Sequence, residues 1–241
     1  MKRKLLIAAT AFTLAVGLQS TASAAIQLQE GTAAGSIING DKTFSNFFCH
    51  LNTLNPFATP VTCADISVIP FTDVFGNLGI QYGGSFSASA VDGVGIVDVR
   101  LTYDVTAPGA TIVDVHMHFD ANFAPVGTTA VLLANVTERV DGTDPLFASA
   151  AQLSVNATNP PAVLQLDDSA ILAGGPYKSL HVSKDVLLQA FANGALPNGT
   201  VLFTTLDQTF SQVTVPEPGS IVLFGTALLG CVAVIRRRLA R

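Results

Sequence analysis

The residues best placed to do chemistry are Asp114, His116, His118 and Asp120, which alternate with apolar Val113, Val115, Met117 and Phe119. Strand side chains alternate between faces, so all four polar groups point to one side. Imidazoles at alternate strand positions can hold Zn²⁺ or Cu²⁺, with a carboxylate as a third ligand. One strand offers its ligands in a line, so a closed site needs a further donor from elsewhere. The same four residues also read as the polar half of an amphipathic strand, faced by Asp98 and Arg100 from a neighbour. Calcium is the other cation to weigh, at Asp141-Gly142-Thr143-Asp144 and at Asp167-Asp168-Ser169. It asks for roughly six to eight oxygens. Neither stretch has the spacing of an EF-hand loop or the repeats of a calcium-binding β-roll, and turn chemistry explains both more simply. No resident cofactor is expected; Ca or Zn remains an open alternative.

Cys49 and Cys63 are 14 residues apart, and the third cysteine, Cys231, lies in an apolar tail. In an exported domain the pair is expected to form a disulfide. A two-thiol metal site is the alternative, but His50 alone does not complete a usual ligand spacing. Catalytic signatures are missing: there is no Gly-x-Ser-x-Gly elbow, no phosphate-binding glycine loop and no His-Glu-x-x-His. The reading is therefore a non-enzyme, although an Asp/His/Ser triad can assemble without sequence proximity. The Asn-x-Thr triplets at Asn135, Asn156 and Asn198 read as strand and turn residues. No regular threonine array of the kind an ice-binding face needs is visible.

The elements that must carry these residues are strands. The central part has no tryptophan, few lysines and much Val, Thr, Ser, Ala, Gly, Asn and Asp, a composition of sheets and turns. In Val97–Val105 the odd positions are apolar and the even ones polar, and the parity resumes over Val113–Asp120 after Ala107-Pro108-Gly109. A hairpin between the two would bury all the odd residues. Further strands are expected at 66–71, 84–91, 129–140, 146–156, 162–166, 178–190 and 200–211. Asp92-Gly93, Asp141-Gly142, Asn159-Pro160-Pro161, Gly174-Gly175-Pro176 and Asn198-Gly199 separate them. Lys184–Ala190 could also form a short helix. The predicted fold is all-β, a single antiparallel sandwich or jelly roll over residues 25–214.

Two terminal segments flank that domain. Lys2-Arg3-Lys4, the apolar run Leu5 to Leu18, and Ala22-Ser23-Ala24 before Ala25 form a signal peptide over 1–24. At the other end come Val215-Pro216-Glu217-Pro218, a charge-free run of 17 residues from Gly219 to Ile235, and Arg236, Arg237, Arg238 and Arg241. As a helix the run would be about 26 Å long, at the short edge of a hydrocarbon core. The arginines would stop transfer and remain cytoplasmic. The prolines keep the preceding segment extended and accessible.

This order of motif, short apolar helix and basic terminus resembles the PEP-CTERM protein-sorting signal of Gram-negative bacteria, here residues 215–241. The same kind of tail also carries the label ice-binding protein C-terminal domain. The resemblance implies recognition by an exosortase, a membrane cysteine transpeptidase, with processing near Pro216-Glu217-Pro218. It places the precursor in the inner membrane and the product at the cell surface or in an extracellular matrix. The body resembles one recurrent type of PEP-CTERM protein through Gly40–Phe47 and Asp207–Gln212, which implies a sandwich-like extracellular domain and supplies no catalytic residues.

With the ends set aside, residues 25–215 hold five basic and sixteen acidic side chains, a formal charge of −11. Such a body repels nucleic acid and anionic lipid. The expected partners are signal peptidase and exosortase during maturation, then exopolysaccharide. The expected role is structural or adhesive, with a carbohydrate- or metal-binding module as the alternative and a secreted hydrolase as the third reading. N-terminal sequencing of the exported chain is expected to start at Ala25; retention of the leader would remove the signal-peptide assignment.

Overall fold

Alternating apolar and polar side chains carry through as strands almost everywhere the sequence shows them. The structure, a computed structural model, describes residues 24–54, 62–90, 93–125, 131–142, 149–159, 163–192 and 199–214. The strands in chain order are β1 (Ile26–Gln27), β2 (Ala34–Asn39), β3 (Lys42–Leu54), β4 (Ser67–Thr72), β5 (Leu78–Ala90), β6 (Gly93–Thr106) and β7 (Ala110–Pro125). They continue as β8 (Val131–Gly142), β9 (Ala151–Asn159), β10 (Val163–Gln165), β11 (Asp167–Ile171), β12 (Ser179–Ala192) and β13 (Gly199–Thr214). A 3-10 turn, Cys63–Asp65, is the one helical piece among the described residues. None of their helices is long and apolar enough to cross a membrane. The expected signal helix and the apolar run 219–235 lie outside the described residues.

The strands form two sheets, ordered β1-β4-β5-β13-β7-β11 and β10-β9-β8-β12-β6-β3-β2. Every strand pairing is antiparallel. The sheets stack as a sandwich, and the inward residues of both make one core. At its centre Phe86 stacks on Phe203 with ring centroids 4.3 Å apart, and Phe119 meets Phe203 edge-on at 5.7 Å. Phe44 and Phe47 flank Tyr103 at 6.2 and 5.8 Å.

Three expectations are corrected. The hairpin between 97–105 and 113–120 does not form. β6 pairs with β3 and β12 in the seven-stranded sheet, whereas β7 pairs with β13 and β11 in the other. Ala107 and Ala110 are buried at the corner where the chain crosses between sheets. The two runs still turn their apolar sides to the same core, from opposite layers, so parity alone could not tell the arrangements apart. The possible helix over 184–190 is strand, because Val182, Lys184, Val186 and Leu188 keep a period of two into the core. Asp167-Asp168-Ser169 is not a turn but the start of edge strand β11.

Bulges explain where simple parity fails. In β7 Ile112 and Val115 are both buried, with a register shift opposite Ser211 and Gln212. In β3 Phe44 and Phe47 are both buried around Asn46, whose φ is 56°. One inserted residue reverses which parity faces inward.

Cys49 on β3 and Cys63 are joined by a disulfide, with Cα atoms 5.9 Å apart. The bond closes a loop over a sequence separation of 14 and ties the seven-stranded sheet to the segment leading into β4 of the other. Replacing both cysteines with serine is expected to cost about 3 kcal/mol in a urea melt. An unchanged midpoint would remove the bond from the account of stability.

Candidate functional site

The strand β7 carries all four chemistry-bearing residues, but the structure sends them to different partners. Asp114 Oδ1 accepts the Ser211 backbone N–H at 3.0 Å and lies 3.0 Å from His116 Nε2. His116 Nε2 is also 3.2 Å from Ser211 Oγ. His118 Nδ1 is 2.7 Å from Asp167 Oδ1 on β11. Asp120 reaches into the second bulge of β13, where Oδ1 accepts the N–H groups of Thr204 and Thr205 at 2.9 and 2.6 Å. Its Oδ2 accepts the Thr204 hydroxyl at 2.6 Å. Both aspartates therefore satisfy backbone donors that bulges free from the ladder. The four do not converge on one point. Among the described residues the one group with metal-ligand spacing is Glu30, Cys49 and Cys63, and there both sulfurs are in the disulfide.

His116 and His118 instead line a groove of about 590 Å³ on the outer face of the six-stranded sheet. Its floor takes in His116 and His118 of β7, Asp207 and Thr209 of β13, and Asp167, Asp168 and Ser169 of β11. Phe71 of β4 and the turn Asp73–Phe75 form its wall. The turn is built by Asp73. Its carboxylate accepts the N–H groups of Phe75 and Asn77 at 2.9 and 2.8 Å, the Asn77 amide at 2.8 Å and the Thr209 hydroxyl at 3.0 Å. That frame holds Phe75 out in solvent, 87% exposed, beside a polar trough. Within the trough Asp207 Oδ1 accepts from the Gln81 amide at 2.8 Å. Burial raises the Asp207 carboxyl above its ordinary value, against the pull of Gln81 and His118. The groove thus offers an apolar ring, carboxylate acceptors and imidazoles along one open surface.

A second polar patch lies on the outer face of the seven-stranded sheet, where His50, Asn52, Asp98, Arg100, Ser183 and Asp185 meet. Burial, and then the neighbouring Asp185, raise the Asp98 carboxyl. The expected facing of Asp98 and Arg100 toward the β7 histidines fails, because they sit on opposite outer faces of the sandwich.

The sequence reading missed the groove's aromatic wall and the buried polar groups. Phe75 carried no periodic signal, being on a turn. Lys184, Glu138 and Gln208 are buried between the sheets, and Lys184 Nζ contacts both Glu138 Oε2 and Gln208 Oε1. Their signal was present as polar residues at apolar parity: Val182-x-Lys184-x-Val186 and Val136-x-Glu138-x-Val140. The motifs Gly40–Phe47 and Asp207–Gln212 also meet, through Lys42 with Gln212 and through Gln212 Nε2 donating to Asp41 at 2.7 Å.

Val215, Pro216, Glu217, Pro218, Ala22 and the arginines 236, 237, 238 and 241 lie outside the described residues; Ala24 and Ala25 are exposed at the start of the first described segment. Residues 214–238 match the family described as the PEP-CTERM protein-sorting motif. The chain carries that motif, which implies an exported protein processed by an exosortase. No curated protein matches the sequence.

Among solved structures, a TmCBM61 module in complex with β-1,4-galactotriose is 8% identical, at a TM-score of 0.27, covering 68% of this chain and 88% of that one. Carbohydrate-binding modules from the β-sandwich superfamily align at 11% identity and a TM-score of 0.24, over 77% and 63% of the two chains. The family 11 xylanase from Neocallimastix patriciarum aligns at 8% identity and 0.23, over 78% and 100%. TM-scores this low carry no functional weight.

The bulge interaction has a measurable consequence. Burial would raise the Asp120 carboxyl, but the hydrogen bonds from Thr204 and Thr205 together outweigh it and hold it below its ordinary value. A depressed carboxylate stabilises the fold above the ordinary range, and that contribution disappears as pH falls through the depressed value. Asp120→Ala is expected to lower stability by about 1–2 kcal/mol at neutral pH. The gap from the parent should narrow in acid. Equal urea midpoints at neutral pH would show that the carboxylate does not hold the bulge.

Proposed function

We propose that the mature domain is a structural component of the cell surface or extracellular matrix that attaches to exopolysaccharide through the groove beside Phe75. The carrying observation is the pairing of an exposed aromatic ring, held by the Asp73 turn, with the polar row His116, His118, Asp167 and Asp207. Sugar rings present C–H faces that pack on aromatic rings, and hydroxyls that donate to carboxylates. The sorting motif supports the same reading by implying delivery outside the cytoplasm. The acidic body favours a neutral polymer over an acidic one, since like charges repel.

A metal-assisted version of this binding has its own support in the imidazoles and carboxylates that share the groove. Co-sedimentation of the mature domain with the producing organism's exopolysaccharide, with and without chelator, separates the two. Binding that survives the chelator is expected. Phe75→Ala should weaken it about tenfold, the equivalent of about 1.4 kcal/mol for one lost stacking contact, and His118→Ala should weaken it as well. Loss with chelator would favour the metal-assisted version, and absence of binding in both conditions would overturn the proposal.

A further inference from the structure

The least expected feature of the sandwich is a lysine in its dry centre. Lys184 is on β12, directly opposite Glu138 of β8 in the register. Gln208 reaches the same point from β13 in the other sheet, where it pairs with Ile80 and Met117. Lys184 Nζ contacts Glu138 Oε2 and Gln208 Oε1, with Met117 Sδ at 3.5 Å. The side chains of Lys184 and Glu138 are fully buried, and Gln208 is buried as well. Tyr82 and Tyr103 close the surroundings. Their hydroxyls and Glu138 Oε1 have no hydrogen-bond partner among the described residues.

We propose that Lys184 and Gln208 become joined by an isopeptide bond that staples the two sheets together, with Glu138 as the proton carrier. The arrangement supplies each part of the reaction. Burial lowers the lysine and raises the glutamate from their ordinary values, which favours a neutral amine beside a neutral acid. In that state the proton of the ammonium has moved to Glu138. The Nζ lone pair then attacks Cδ of Gln208, forming the new C–N bond. Nζ gives up one proton, the amide Nε2 gains one through Glu138, and the Cδ–Nε2 bond breaks with release of ammonia. Glu138 ends as a carboxylic acid hydrogen-bonded to the new amide.

Three geometric facts favour this over an inert ion pair. Glu138 Oε2 accepts directly from Lys184 Nζ, and its Oε1 has no hydrogen-bond partner among the described residues, so the acid stands ready to take the nucleophile's proton. The leaving nitrogen is held in place, donating to the His116 carbonyl at 2.9 Å. The packed core fixes amine and amide in contact, the condition under which intramolecular reactions reach effective molarities of about 10⁵ M or more. The product also turns the amine into an amide that cannot be charged, so the desolvation cost of a buried ion pair no longer arises.

The test is a mass map of the full chain, exported and folded, reduced after denaturation and cut before aspartates. Cleavage before Asp185 and Asp207 places Lys184 and Gln208 in different peptides, Asp168–Lys184 and the one that begins at Asp207. The expected result is one joined species, lighter than the two peptides together by one ammonia. Two separate peptides of unmodified mass overturn the proposal. Joining of Lys184 to the Glu138-containing peptide with loss of one water also overturns it, since the acceptor would then be the glutamate. Glu138→Gln keeps the shape and removes the proton carrier. It is expected to leave the peptides separate in a chain that retains its sheet circular dichroism, and a joined species there would overturn the role given to Glu138.

Discussion

The contact among Lys184, Glu138 and Gln208 constrains the whole sandwich. A charge in a dry core is tolerable only where its partners are already in place. Lys184 sits on the central strand of the seven-stranded sheet, and Gln208 on an inner strand of the six-stranded one. Moving β12 by one residue would turn Lys184 outward and bring the solvent-facing side of the strand into the core. Sliding one sheet over the other would leave the amine beside hydrocarbon. The polar triad therefore fixes strand register and sheet stacking together, a specification that Val, Leu and Phe contacts, being non-directional, cannot supply alone.

The groove depends on irregularities laid over that regular core. Asp114 and Asp120 each attend a bulge in the β7–β13 pairing, and the residues between them, His116 and His118, stand on the outer face there. Their neighbour Asp73 locks the turn that carries Phe75. Three aspartates are thus spent on backbone donors, while His118, Asp167 and Asp207 meet in the trough. Carboxylates that cap backbone cannot also serve a ligand with full freedom, and so the site is best defined by its ring and its imidazoles.

Much of this was legible in residue order, and the failures have definite causes. The strand content, the core-facing parity of 97–105 and the pairing of Cys49 with Cys63 follow from alternation and cysteine spacing. The crossing of β6 and β7 between sheets does not, because a hairpin and a sandwich corner bury the same side chains. β3 escaped notice because a bulge at Asn46 breaks its rhythm, and β2 because Ala34-Gly35-Ser36 gives no apolar alternation. His116 and His118 face the groove while Asp114 and Asp120 turn to backbone donors, a division the alternation could not give, since a strand pattern says nothing of which backbone groups a bulge leaves unpaired. Glu138 and Lys184 were visible as polar intrusions at inward parity, a signal easily taken for ordinary surface charge.

The outermost strands are β1 and β11 in one sheet and β2 and β10 in the other, of two, five, six and three residues. Long open edges invite pairing between copies; each of these short strands offers few free amides in a row, but it covers only part of the longer strand beside it, β2 pairing with Lys42–Phe47 of β3 and β11 with Asp114–His118 of β7. An exported protein held at a surface meets itself at high local concentration, where growth by strand addition is the standing hazard. The outermost strands are thus poor templates in themselves, and a neighbouring copy would have to pair with the longer strands β3 and β7 beside them.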